Sequence, residues 1–137
     1  MGVVMARKAP EAVLACPCGS GQFYGNCCEA YILEVEPAPT AELLMRSRYT
    51  AFALGEAPYL LASWHPDTRP SRIRLDPQQR WIGLAIKSTG EGGAEDDSGT
   101  VEFVARFKVD GKGHRLHERS YFEKISGRWY YKNGDHL

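Results

Sequence analysis

An α+β domain, with helices ahead of a curved antiparallel sheet, is predicted by three features of this chain of 137 residues. Helix signals are confined to its first half, and alternating apolar segments separated by turn residues fill the second. All four cysteines fall in one short, Gly-punctuated run near the N-terminus.

Taken in chain order, residues 1–15 read as a disordered N-terminus, 16–31 as a cysteine knuckle, 32–39 as a linker and 40–137 as the main domain. The linker contains Glu34-Val-Glu-Pro-Ala-Pro39, stiffened by its prolines. Thr40 followed by Ala41, Glu42 and Leu43 is a helix start, and Gly55 is a natural stop. A second, short helix is expected from about Pro58 to Trp64, ahead of an irregular stretch from Pro66 to Pro77. Strands are expected at Trp81–Ser88, Thr100–Val109, Leu116–Ile125 and Arg128–Lys132. Gly90-Glu-Gly-Gly-Ala-Glu-Asp-Asp-Ser-Gly99 reads as a mobile hairpin loop, Asp110-Gly-Lys-Gly113 as a four-residue turn and Ser126-Gly127 as a tight turn.

The knuckle reads Cys16-Pro-Cys18-Gly-Ser-Gly-Gln-Phe-Tyr-Gly-Asn-Cys27-Cys28. Four thiols this close, in a chain with no others, point to one shared ligand, and a structural zinc ion takes four sulfurs at about 2.3 Å. Pro17 stiffens the first pair, Gly19 and Gly21 permit a reversal, and Ser20 is placed to cap a short helix delivering Cys27 and Cys28. Two disulfides are the alternative, a habit of small secreted domains. Nothing points to export: Val13-Leu14-Ala15-Cys16 has the outline of a lipoprotein cleavage site, but Arg7 and Lys8 are followed at once by Pro10 and Glu11 instead of an apolar core. A four-thiolate shell is coordinatively closed, so the metal is expected to be structural and not catalytic. The knuckle is also too small to hold a core of its own, so chelation is expected to unfold residues 16–30 and spare the main domain.

The spacing C-x-C-x8-C-C resembles the SEC-C motif, a zinc knuckle best known from the C-terminal tail of the SecA preprotein translocase. Cys16, Pro17, Cys18, Gly19, Ser20, Gly21, Tyr24, Cys27 and Cys28 carry the match. Gln22, Phe23, Gly25 and Asn26 stand where that motif usually carries lysines, which counts against nucleic-acid binding. Beyond the knuckle the chain resembles the YchJ family of bacterial proteins. Pro39-Thr-Ala-Glu-Leu-Leu-Met-Arg-Ser-Arg-Tyr-Thr-Ala-Phe, Tyr59-Leu-Leu-Ala-Ser-Trp-His-Pro-Asp-Thr-Arg-Pro, Val101-Glu-Phe-Val-Ala-Arg-Phe and Leu116-His-Glu-Arg-Ser-Tyr-Phe carry that likeness. The resemblance implies an NTF2-like (cystatin-like) cone behind a SEC-C knuckle, and a fold more than an activity.

Seventeen basic residues balance seventeen acidic ones, which removes the electrostatic footprint of a nucleic-acid binder. No apolar run approaches the roughly 20 residues of a membrane span. A cytoplasmic protein is the expectation. Arg69, Arg72, Arg74 and Arg80 form a basic stretch, either solvated or facing an acidic partner.

Two polar side chains fall on apolar faces. At helical spacing Leu44, Met45, Ala51 and Phe52 share one face with Arg48 in its middle, while Glu42, Arg46 and Tyr49 lie opposite. If Val109 pairs with His114, then Ala105 faces Glu118 and Phe103 faces Ser120 on the inner face of the sheet. Arg48 and Glu118 are therefore expected to meet in a buried salt bridge, because a lone buried charge is costly. That pair either pins helix to sheet or belongs to a polar pocket at the mouth of the cone, with Trp64 and His65 on its rim and Ser120 inside. His114 and His117 look exposed. Two functions follow: an adaptor that docks on another protein through the zinc knuckle, or a small-molecule-binding protein or enzyme that uses the cone interior. Glu118 separates them, since an open cavity favours the second and a seal against Arg48 the first.

Overall fold

The computed structural model describes residues 12–137. After the knuckle, with its 3-10 turn Tyr24–Asn26, come helices α1 (Glu29–Ile32), α2 (Ala41–Leu54) and α3 (Ala57–Ala62). Four strands follow, β1 (Gln79–Glu91), β2 (Ser98–Val109), β3 (Lys112–Ile125) and β4 (Arg128–His136), paired in chain order as an antiparallel meander. The α+β layout with helices first is thus the observed one.

Helix α2 starts as its sequence dictates: the Thr40 hydroxyl accepts from the Leu43 N–H at 3.1 Å. It stops at Gly55, whose φ of 78° is the left-handed conformation that glycine adopts without strain. Of the predicted disordered segment, residues 1–11 lie outside the described residues. Residues 12–15 belong to the knuckle: Tyr24 N–H donates to Leu14 O at 2.8 Å and Gly25 N–H to Ala12 O at 2.9 Å.

The knuckle does not hang from a linker. Cys16, Cys18, Tyr24, Cys28 and Ile32 share one continuous core with Leu44, Tyr49, Tyr59 and Trp129. Ala38, within the predicted linker, is buried, and Pro39 O accepts from the Trp129 indole N–H at 3.2 Å. The two-sided pattern expected of α2 fails because three elements surround it. Tyr49, Ser47 and Thr50 are all buried: Tyr49 packs edge-on against Trp81 of β1, Ser47 bonds to the Tyr59 hydroxyl of α3, and Thr50 meets Cys16 and Cys28 of the knuckle.

The β2–β3 hairpin turns on two residues, Asp110 (φ 53°) and Gly111 (φ 79°), instead of four. Paired positive φ values suit a type I′ loop, whose twist matches the strands it joins. Val109 therefore pairs with Lys112, and Phe103, not Ala105, faces Glu118, while Val101 faces Ser120. The shift is an even number of residues, so every side chain keeps its predicted face. Bulges between Trp81 and Gly83, between Ile86 and Ser88, and opposite Tyr121/Phe122 interrupt the ladders. Such irregularities bend and twist strands, and they curve this sheet around its helices.

The Gly-rich β1–β2 connection is docked, contrary to its expected mobility. Gly92 O accepts from Ala41 N–H at 2.9 Å at the start of α2, Asp96 Oδ2 accepts from Gly93 N–H at 2.9 Å, and Lys124 Nζ donates to Ala94 O at 2.7 Å. Residues 63–65 add a short fifth rung along β4: Tyr131 N–H donates to Ser63 O at 2.9 Å and His65 N–H to Tyr131 O at 2.7 Å. Among the described residues, no helix is long and apolar enough to cross a membrane.

Candidate metal centre and interior cavity

The sulfurs of Cys16, Cys18, Cys27 and Cys28 all lie within 4.8 Å of one another. Cys18 and Cys27 are 3.6 Å apart and Cys27 and Cys28 3.9 Å, while none of the four is in a disulfide. Four soft donors in one cluster could hold a metal ion. The thiols are electrostatically unequal. Hydrogen bonds from the Cys16 and Cys28 thiols drive Cys18 well below the ordinary cysteine range. The same contacts with Cys16 and Cys18 push Cys28 far up, and burial pushes Cys27 up to about 11.

Helix α2 supplies the outer support. The Thr50 hydroxyl donates to Cys28 Sγ at 3.3 Å and lies 3.6 Å from Cys16 Sγ. One turn earlier, Arg46 donates to Cys18 O at 2.9 Å and is held by Glu42 Oε2 at 3.0 Å. Ser20 does not cap the following helix. Its hydroxyl accepts from Gln22 N–H at 3.1 Å and contacts Cys27 Sγ at 3.2 Å, because the 3-10 turn begins only at Tyr24. Sequence reasoning missed Arg46 and Thr50, although their i, i+4 spacing puts them on one helix face.

Between α2 and the concave face of the sheet lies a cavity of about 310 Å³. Arg48, Trp64, Glu118 and Ser120 are among its lining residues, and Tyr49, Phe52, Trp81, Phe103 and Tyr131 add aromatic rings to its wall. His65 is not part of this lining. Along the rung beside β4 successive side chains alternate sides, so Trp64 packs on Tyr131 while His65 turns to Tyr130. There its Nε2 pairs with Glu123 Oε1 at 2.9 Å, and its Nδ1 accepts from Asp67 N–H at 3.0 Å.

The expected Arg48–Glu118 salt bridge is absent among the described residues. Arg48 instead donates from Nη1 to Leu60 O at 2.8 Å and to Ser63 Oγ at 2.6 Å. Its guanidinium carbon sits 5.2 Å from the Trp64 ring centre and 4.6 Å from that of Tyr131. Burial lowers the Arg48 pKa to about 10, opposed by Tyr131, Tyr59 and Glu118. Glu118 accepts at Oε2 from Ser120 Oγ at 2.7 Å and from the Tyr131 hydroxyl at 3.4 Å. Tyr131 thus stands between the two charges, its ring on one and its hydroxyl on the other. Its role was legible only as a period-2 alternation with Trp129.

On the outer face, His117 is tied to Glu102 at 2.7 Å, with Arg119 at 3.4 Å from the same carboxylate. That hydrogen bond from His117 holds the Glu102 carboxyl below its usual range. His114 stacks on Phe107 with ring centres 5.1 Å apart. In the basic stretch, Arg69 folds back onto Trp64 O at 2.6 Å and 2.9 Å.

Comparison with known proteins agrees with this architecture. Residues 40–134 match the family described as YchJ, middle NTF2-like domain. The chain is 52% identical over 132 residues to a UPF0225 protein of Chromobacterium violaceum, covering 93% of this chain and 97% of that protein. It is 50% identical over 122 residues to UPF0225 protein SCO1677 of Streptomyces coelicolor, with 89% and 95% covered. Among solved structures, the solution structure of RPA3114, a SEC-C motif containing protein from Rhodopseudomonas palustris, aligns with a TM-score of 0.78 and 35% identity over 89% of this chain and 98% of that one. The crystal structure of a SEC-C motif containing protein from Psychrobacter arcticus aligns with a TM-score of 0.75 and 27% identity, over 89% and 82%.

Proposed function

Because the chain belongs to the YchJ (UPF0225) family, a SEC-C knuckle on an NTF2-like domain, we propose that it is a small-molecule-binding protein whose knuckle braces the helix forming the cavity roof. One observation carries this reading: Arg48 and Glu118 line the same aromatic-walled cavity without neutralising each other. A cavity of about 310 Å³, mostly apolar with a few polar groups, is the ordinary form of a ligand site. Equilibrium dialysis of the full chain against the small-molecule fraction of a cell extract, read by mass spectrometry, tests it. The wild type should retain a compound that Ala105→Phe, which fills the cavity from β2, does not. Equal profiles for the two proteins would overturn the reading.

We assign the knuckle metal as zinc in a structural role. Bonds of about 2.3 Å in a tetrahedron place sulfurs about 3.8 Å apart; two of the separations are 3.6 Å and 3.9 Å, and all lie within 4.8 Å. Four free thiols also suit a reducing compartment, which supports a cytoplasmic location.

A second reading, docking of another protein through the knuckle, is favoured by its exposed apolar side chains Val13, Leu14 and Phe23, gathered by the Ala15–Phe23 bridge. Phe23→Ser should then abolish co-purification of a specific protein with the tagged full chain.

A further inference from the structure

Resting on the ligand-binding reading, we infer that the cavity takes a molecule of one-ring size with a carboxylate at one end and a hydroxyl or amine donor at the other. The carboxylate end is set by Arg48 and Trp64. Arg48 is only 4% exposed, and among the described residues it has no carboxylate within ion-pair range, only a carbonyl, a hydroxyl and two aromatic faces. Trp64 lines the same cavity, and its Nε1 is buried with no acceptor. Buried donors are almost always partnered, and a buried cation is ordinarily kept where an anion meets it. Arg48 has neutral acceptors but no anion among the described residues, and the Trp64 indole N–H has no acceptor; a carboxylate against this cavity wall would answer both, and an arginine fork recognises that group well.

The opposite end is set by Glu118. Both of its protein donors, Ser120 and Tyr131, reach Oε2, and Oε1 accepts from no described residue. A carboxylate has acceptor capacity to spare beyond those two bonds. The distance between the ends is measured out by Tyr131, whose ring lies 4.6 Å from the Arg48 guanidinium carbon and whose hydroxyl lies 3.4 Å from Glu118. A ligand bridging the same two charges in the cavity therefore needs a body of about one aromatic ring. The walls suit it, since Phe52, Trp81, Phe103 and Tyr131 offer faces and edges for stacking.

The probe is 3-(4-hydroxyphenyl)propionate, titrated into the full chain purified with its metal and followed by quenching of tryptophan fluorescence, because Trp64 and Trp81 both line the cavity. The acid is expected to bind about tenfold or more tightly than its neutral amide. Arg48→Met should erase that preference, and Glu118→Gln should remove the advantage of the hydroxylated probe over 3-phenylpropionate. Equal binding of acid and amide to the wild type would overturn the inference while leaving a ligand cavity in place. So would a preference that survives Arg48→Met in a protein with wild-type circular dichroism. If neither probe alters the fluorescence, the inference falls, and the ligand-binding reading is judged separately by its dialysis comparison with Ala105→Phe.

Discussion

The Thr50 hydroxyl donates to the sulfur of Cys28 at 3.3 Å, tying the long helix of the main domain to the last thiol of the metal cluster. Thr50 is fully buried, so this bond is shielded from water and fixes Cys28 from outside the knuckle. Replacing Thr50 by valine keeps the shape and removes the donor. Metal affinity is expected to fall by about tenfold, the lower end of the range for outer ligand partners. Competition with a chromogenic chelator measures it, and an unchanged affinity would show that the hydroxyl only fills space.

Metal removal should be felt throughout the molecule, contrary to the sequence expectation of a separately unfolding knuckle. Three of the four thiols, with Tyr24 and Ile32, are buried in the same core as Leu44, Tyr49 and Trp129. Chelation should lower one cooperative thermal transition by on the order of 10 °C, equivalent to a loss of a few kcal/mol in a domain of this size. A scan of the chelated protein that keeps a main transition at the holo temperature would restore the picture of two independent units.

Arg48→Met and Glu118→Gln should behave as nearly independent changes. A direct buried ion pair would lose about 3–5 kcal/mol on removal of either partner and recover part of it in the double variant. Here no such contact exists and Tyr131 intervenes. The coupling measured by urea denaturation of the four proteins should stay below about 1 kcal/mol. A larger favourable coupling would mean that the two side chains meet in solution.

Gly92→Ala should be costly although it adds one methyl group. Gly92 is buried with φ of 79°, and an added Cβ would come 2.8 Å from the Ala41 Cβ at the first turn of α2. Strain and overpacking act together, for a loss of about 2 kcal/mol or more. Gly111→Ala provides the control, since nothing lies within 4 Å of its added Cβ although φ is also 79°. Denaturation midpoints should therefore rank wild type above Gly111→Ala above Gly92→Ala.

Local chemistry made much of this protein legible without coordinates. The four thiols are close in the chain and separated by turn-forming residues, so a single cluster could be read from their spacing. Thr40 and Gly55 bound a helix through bonds to their own neighbours. The faces of β2 and β3 survived an error of register, because a slip of two residues leaves an alternation of period two unchanged.

What only the tertiary structure decided concerns residues whose environment comes from distant chain. Tyr49 looked solvent-facing because helical periodicity reports one buried side, yet Trp81, from the distant first strand, packs edge-on against its ring. Arg48 and Glu118 were each placed on an apolar face by periodicity, yet their partners were not: buried charge can be satisfied by carbonyls, hydroxyls and aromatic faces as well as by opposite charge. Periodicity states which way a side chain turns. The curvature of the sheet and the tyrosine standing between those two charges determine what it meets, and whether a cavity remains there.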